Sequence, residues 1–129
     1  MYVVIHAHRQ SDLSQPPGGA DMTEEICEVI ITAPDPDWLA TFTRQLVEDR
    51  LAACGHNIHT VRSIYEWDGA LHDRTEARVA LHTRRSLVAA VTAVTNRDHP
   101  YDLPCVIALP VVDGNPDYVT WVLRETESS

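Results

Sequence analysis

The chain has 129 residues, 44% of them hydrophobic and 22% charged, enough for one ordinary domain with a single buried core. Its formal net charge of -9, from 19 acids against 10 bases that are all arginine, opposes binding to a phosphate backbone, so nucleic acid is excluded as a partner. No apolar run reaches the roughly 18 to 20 residues of a bilayer-spanning helix, which excludes an integral membrane protein of that kind.

Taken in chain order, residues 1–9 carry a short apolar run broken by His6, His8 and Arg9, unlike a signal peptide. The β-branched "MYVVIHAH" would also suit an edge strand. Residues 10–22, "QSDLSQPPGGADM", hold too little apolar surface to offset the entropy of ordering. They read as part of a flexible leader, 1–22, ahead of one domain at 23–129, with Met22 as an alternative first residue. Glu25 to Ala33, "EICEVIITA", suits a strand buried on both faces.

Asp35 then offers a capping carboxylate and Pro36 a first-turn proline, which starts a helix whose Leu39, Phe42, Leu46 and Leu51 return at helical intervals. Residues 53–67 alternate as a strand, Asp68-Gly69 signals a hairpin turn, and Leu71 to His82 alternate in reply. Ser86 is placed to cap a second helix carrying Leu87, Val91 and Val94, which ends by Asn96 to Pro100. A last strand, "CVIALPVV", follows Pro104. Asn115 and Pro116 then open a short helix whose buried side is Tyr118, Val119 and Val122. The order is β-α-β-β-α-β plus a tail helix, an α+β fold of the ferredoxin-like kind with both helices on one face of an antiparallel sheet. The other face and two long hairpin strands are left to self-association.

The chemistry-bearing residues are seven histidines and three cysteines. Cys27, Cys54 and Cys105 are widely spaced without a C-x-x-C pair, so neither a disulfide framework nor a zinc ribbon is indicated, and a reducing cytoplasm is the simplest location. In "AACGHNIH" (52–59), a strand puts Cys54 and His56 on one face about 7 Å apart and His59 on the other, so those three do not chelate one ion. Cys54 reads as a core residue beneath the first helix, Cys27 likewise as core, and His56 and His59 as solvated or intersubunit. No nucleophile motif, phosphate loop or H-E-x-x-H stretch occurs, and Ser11, Asp12 and the histidines are too scattered for a triad, so an enzyme is not indicated.

Six stretches, "VIITAPD" (29–35), "LVEDRLAAC" (46–54), "SIYEWDG" (63–69), "HTRR" (82–85), "HPYDLPCVIALPV" (99–111) and "GNPDYVTWV" (114–122), resemble in order and spacing the CutA divalent-cation tolerance family. The resemblance implies a cytoplasmic homotrimer of ferredoxin-like subunits, similar in architecture to the PII signalling proteins. It also implies a link to copper or another divalent cation, and no organic cofactor. His99, directly before Pro-Tyr, is the one metal-ligand position that carries over. Ile31 stands where the family's copper assignment uses Cys, and Asp98 where it uses a second His.

The resemblance also places Tyr65, Trp67 and Glu76 near an intersubunit cleft with His99 and Tyr101, either as a ligand site or as interface anchors. His82 replaces a common Lys and Cys105 a common Glu, which raises a soft-metal trio of His82, Cys105 and His99. Two functions follow as expectations: a trimeric protein that responds to divalent cations by binding them, or a PII-like signalling or scaffolding trimer that binds a small molecule or protein at its clefts.

Overall fold

The computed structural model describes residues 24–128. The leader expected over 1–22, with its edge-strand alternative, lies outside the described residues. The elements are β1 (Ile26–Ala33), α1 (Pro36–Glu48), β2 (Cys54–Trp67), β3 (Ala70–Arg84), a 3₁₀ turn (Arg85–Leu87), α2 (Val88–Asp98), β4 (Val106–Pro110) and α3 (Pro116–Glu125). The four strands form one sheet in the order β2-β3-β1-β4, antiparallel at every pairing.

Local chemistry explains most boundaries. Asp35 accepts a hydrogen bond from the Asp37 amide at 2.9 Å with Pro36 at the first helical position, and Asn115 does the same for Asp117 at 3.0 Å ahead of Pro116. At the β2–β3 turn Asp68 and Gly69 take φ of 53° and 78°, the left-handed pair that a two-residue hairpin requires. Ser86 does not cap α2 as expected: a 3₁₀ turn precedes the helix, no side chain caps it, and the Ser86 amide is instead received by Glu24 Oε1 at 2.9 Å. Glu24 is thus the acceptor that the cap rule assigned to the serine hydroxyl.

Strand alternation divides the sheet cleanly. Cys27, Val29, Ile31 and Ala33 of β1 and Ala77, Val79 and Leu81 of β3 join Leu39, Phe42 and Leu46 of α1 and Val91 of α2 in the main core. On the opposite face α3 covers one end, where Val122 and Leu123 pack with Ile26 and Ala53. Farther along that face Ile58, Ile107 and Leu109 remain 46 to 55% exposed. Gly55 marks the closest approach of β2 to α1: a Cβ there would lie 2.5 Å from Thr43 Cγ2 and 3.0 Å from Val79 Cγ2. Gly55→Ala is therefore expected to cost about 1 to 3 kcal/mol through overpacking, read as a lower urea midpoint at unchanged slope.

Candidate metal centre

The hairpin register sets the site. Cys54 of β2 stands opposite His82 of β3, and His56 follows two residues on, so alternation turns all three side chains to the face that α3 partly covers. On the other side of β3, Glu28 of β1 is paired with His82. The first turn of α3, fixed by the Asn115 cap, brings Tyr118 over the same spot. One sulfur, two imidazoles, a carboxylate and a phenol thereby converge from four elements.

The donor atoms of Cys54, His56 and His82 all lie within 4.8 Å of one another, and among the described residues this is the one such Cys/His/Asp/Glu trio. Cys54 Sγ is 3.7 Å from His82 Nδ1, and the His56 and His82 rings meet edge to face at 5.2 Å. His82 Nε2 is 2.9 Å from Glu28 Oε2. An ionised carboxylate only accepts, so Nε2 carries a proton and Nδ1 is the nitrogen turned to the cluster. Tyr118 Oη sits 2.5 Å from that Nδ1 and 3.2 Å from Cys54 Sγ. The Tyr118 ring in turn lies 5.6 Å from that of Trp121.

The electrostatics are those of a polarised cluster. Burial pushes the Cys54 thiol up, but its hydrogen bonds with His82 and Tyr118 and the charge of His82 outweigh it, holding the thiol below its ordinary value. The bond to Cys54 chiefly raises the His82 imidazole; burial opposes this, and Glu28 adds to the rise. Burial and the neighbouring sulfur push the Tyr118 hydroxyl well above its ordinary range, so it stays protonated and neutral.

This donor set fits a borderline or soft ion. A thiolate with two imidazoles suits zinc(II) or copper and is a poor match for magnesium or calcium, which take oxygen cages. For Zn–S of about 2.3 Å and Zn–N of about 2.0 to 2.1 Å at a tetrahedral angle, sulfur and nitrogen lie about 3.6 Å apart. The observed 3.7 Å between Cys54 and His82 meets that spacing without rearranging the strands. Glu28 behind His82 completes the carboxylate–histidine arrangement that orients an imidazole for an ion.

His99, the ligand position carried over from the resemblance, is placed elsewhere. It is buried at the end of α2, with Nε2 2.8 Å from Thr32 O and Nδ1 accepting from the Tyr101 amide at 3.0 Å, so both ring nitrogens are engaged. Its ring also packs on Trp38 at 5.2 Å. Tyr101 donates to Glu76 at 3.0 Å, which brings three of the expected cleft residues together. Tyr65 stacks on His72 instead, and Trp67 stands exposed beside the hairpin turn.

The trio of His82, Cys105 and His99 does not converge. Glu28, facing His82, and Thr32, facing His99, are four residues apart on β1, or about 13 Å. Cys105 is exposed ahead of β4. Cys27 is core, its thiol directed at Thr83 O at 3.8 Å. Cys54 departs from its core assignment: Gly55, not Cys54, faces α1, and Cys54 turns to the α3 side. The missing partner of the Cys54–His56 pair is the cross-strand His82. The two-residue turn at Asp68-Gly69 was the signal for it, because counting back from that turn, with allowance for the bulge between Ile58 and Val61, sets Cys54 against His82.

A sequence model described as "CutA1 divalent ion tolerance protein" matches residues 27–125. The chain is 40% identical over 118 residues to "Protein CutA" of Mus musculus, covering 89% of this chain and 67% of that protein. It is 38% identical over 111 residues to "Protein CutA" of Homo sapiens, covering 86% and 62%. The chain thus spans roughly two thirds of the length of these animal relatives. The crystal structure of CutA1 from Oryza sativa superposes with a TM-score of 0.80 at 31% identity, covering 84% of this chain and 100% of that one. The expectation of a cytoplasmic location is corrected by the relatives: those of Arabidopsis thaliana and Oryza sativa are named chloroplastic, and the CutA of Archaeoglobus fulgidus is described as periplasmic. Cysteine spacing and an unremarkable N-terminus therefore do not fix the compartment, since the same fold serves in several.

Proposed function

The chain belongs to the CutA1 divalent ion tolerance family, and from that premise we propose that it acts by binding a borderline or soft metal ion, zinc(II) or copper, at Cys54, His56 and His82. The observation that carries this reading is the convergence of their three donor atoms within 4.8 Å, with Glu28 positioned behind His82. On this reading the chain holds an ion rather than transforming a substrate. The working unit is a homotrimer. The outer edges of β2 and β4 have no strand partner within the described chain, and Ile58, Ile107 and Leu109 offer apolar area beside them.

Calorimetry of the reduced full chain with zinc(II), beside its Cys54→Ser and His99→Ala variants, tests the assignment. Stoichiometric binding that survives His99→Ala and falls at least about tenfold in Cys54→Ser is expected, because a hydroxyl replaces the soft donor. Equal affinities in all three proteins would refute it, since His6 and His8 are common to every arm. A second reading, a PII-like module whose clefts bind a small molecule or protein, is favoured by the Glu76–Tyr101–His99 group, a buried carboxylate bonded to a phenol beside an aromatic pair. It predicts a trimer that takes up no ion in the same titration.

A further inference from the structure

The Tyr118 hydroxyl lies where an ion on His82 would have to be. An imidazole nitrogen offers one direction in the ring plane, and at Nδ1 of His82 that direction is filled by Tyr118 Oη at 2.5 Å. An ion would bind the same nitrogen at about 2.0 to 2.1 Å. A hydroxyl oxygen and an ion cannot share those positions along one axis. The other tautomer, with the proton on Nδ1 facing Tyr118 and the ion on Nε2, is closed, because Nε2 is committed to Glu28 at 2.9 Å.

Resting on the metal reading above, we propose that Tyr118 is the residue that sets the affinity threshold of the site: it competes with the ion for His82 and Cys54, and binding expels its hydroxyl. Both of its hydrogen bonds, to Nδ1 and to Cys54 Sγ at 3.2 Å, belong to the ion-free protein alone. A hard ion that gains little from a thiolate and two imidazoles does not repay their loss; zinc(II) and copper do. The expelled side chain belongs to α3, whose Val122 and Leu123 anchor it to the sheet end, and it packs on Trp121 at 5.6 Å. Ion occupancy is therefore conveyed to the surface of α3 through one phenol.

Tyr118→Phe keeps the ring and its packing and deletes only the competing oxygen. In the full-length reduced protein, zinc(II) affinity by calorimetry is expected to rise about three- to tenfold, the worth of one or two ordinary hydrogen bonds removed from the ion-free state. In the unmodified protein, zinc(II) is expected to change tryptophan emission, and that change is expected to vanish in Trp121→Phe while Trp38 and Trp67 remain. Magnesium is expected to do neither. An unchanged affinity in Tyr118→Phe overturns the proposal, and a weaker one overturns it by making the phenol a ligand. An emission change that persists in Trp121→Phe overturns the coupling to α3. Absence of zinc binding by the unmodified protein defeats the metal reading itself, whereas the former outcomes leave that reading standing.

Discussion

His82→Ala is expected to weaken zinc(II) binding about a hundredfold or more, while Glu28→Gln weakens it about tenfold and leaves the stoichiometry intact. The difference follows from position. His82 is the hub of the cluster, 3.7 Å from the Cys54 sulfur and edge to face with His56, so its loss leaves two donors on one strand. Glu28 touches no ion; it holds the Nε2 proton and thereby the ring, and outer partners of this kind typically contribute one to two orders of magnitude.

The same residue gives the site opposite pH responses with and without metal. The His82 pKa is raised above its ordinary 6.5, so its contribution to ion-free stability is complete below about pH 6.5 and fades as pH climbs through the raised value. Zinc(II) needs an unprotonated Nδ1, so affinity climbs over that same window. A urea midpoint that falls with pH while zinc(II) affinity rises, both trends absent in His82→Ala, is the expected result. Parallel trends would show that His82 does not control the site.

The second large effect is expected away from the metal. Arg84→Ala should cost about 3 kcal/mol or more of stability, and Arg84→Lys should recover little of it. The guanidinium is buried and donates to Glu24 Oε2 at 2.9 Å, to Thr126 Oγ1 at 3.1 Å and, through a short contact, to the Leu123 carbonyl. It ties the last turn of α3 to the end of β3 and to Glu24, two residues before β1. Removing one partner of a buried pair strands the rest in a place water does not reach, which is why the loss exceeds that of a surface bridge. One ammonium cannot serve three acceptors set around a planar fork.

Exposed pairs supply the control. Arg62 and Asp73 make a bidentate bridge at 2.6 and 2.7 Å on the solvent side of the hairpin, and replacing Arg62 should change the urea midpoint hardly at all.

Much of the fold was legible because its punctuation is local. Asp35-Pro36, Asp68-Gly69 and Asn115-Pro116 each act within a few residues, and each stands where the chain turns or a helix begins. Alternation in β3 likewise named its core residues Ala77, Val79 and Leu81. Ser86 misled because its competitor, Glu24, lies 62 residues away and no local rule weighs a distant carboxylate against a nearby hydroxyl. The site was half legible for the same reason. Cys54 and His56 could be placed on one face of one strand, but their partner depended on the register of a long hairpin containing a bulge. Tyr118 was read as the apolar side of a short helix, since its ring packs as expected and only its oxygen reaches the cluster.

The sheet order also dictates when the site is assembled. Of the three strand pairings only β2–β3 joins neighbours in sequence, and the turn between them is two residues long. Cys54 and His82, 28 residues apart, are drawn together by zipping that hairpin, whereas Glu28 and Tyr118 close on His82 across 54 and 36 residues. Loop entropy makes the hairpin contact the cheap, early one and the β1 and α3 contacts the slow ones. The three donors thus share a short-range unit that gathers first during chain collapse, while the carboxylate that aims the imidazole and the phenol that guards it arrive last. A nascent chain meeting zinc(II) would find its ligands before its gate.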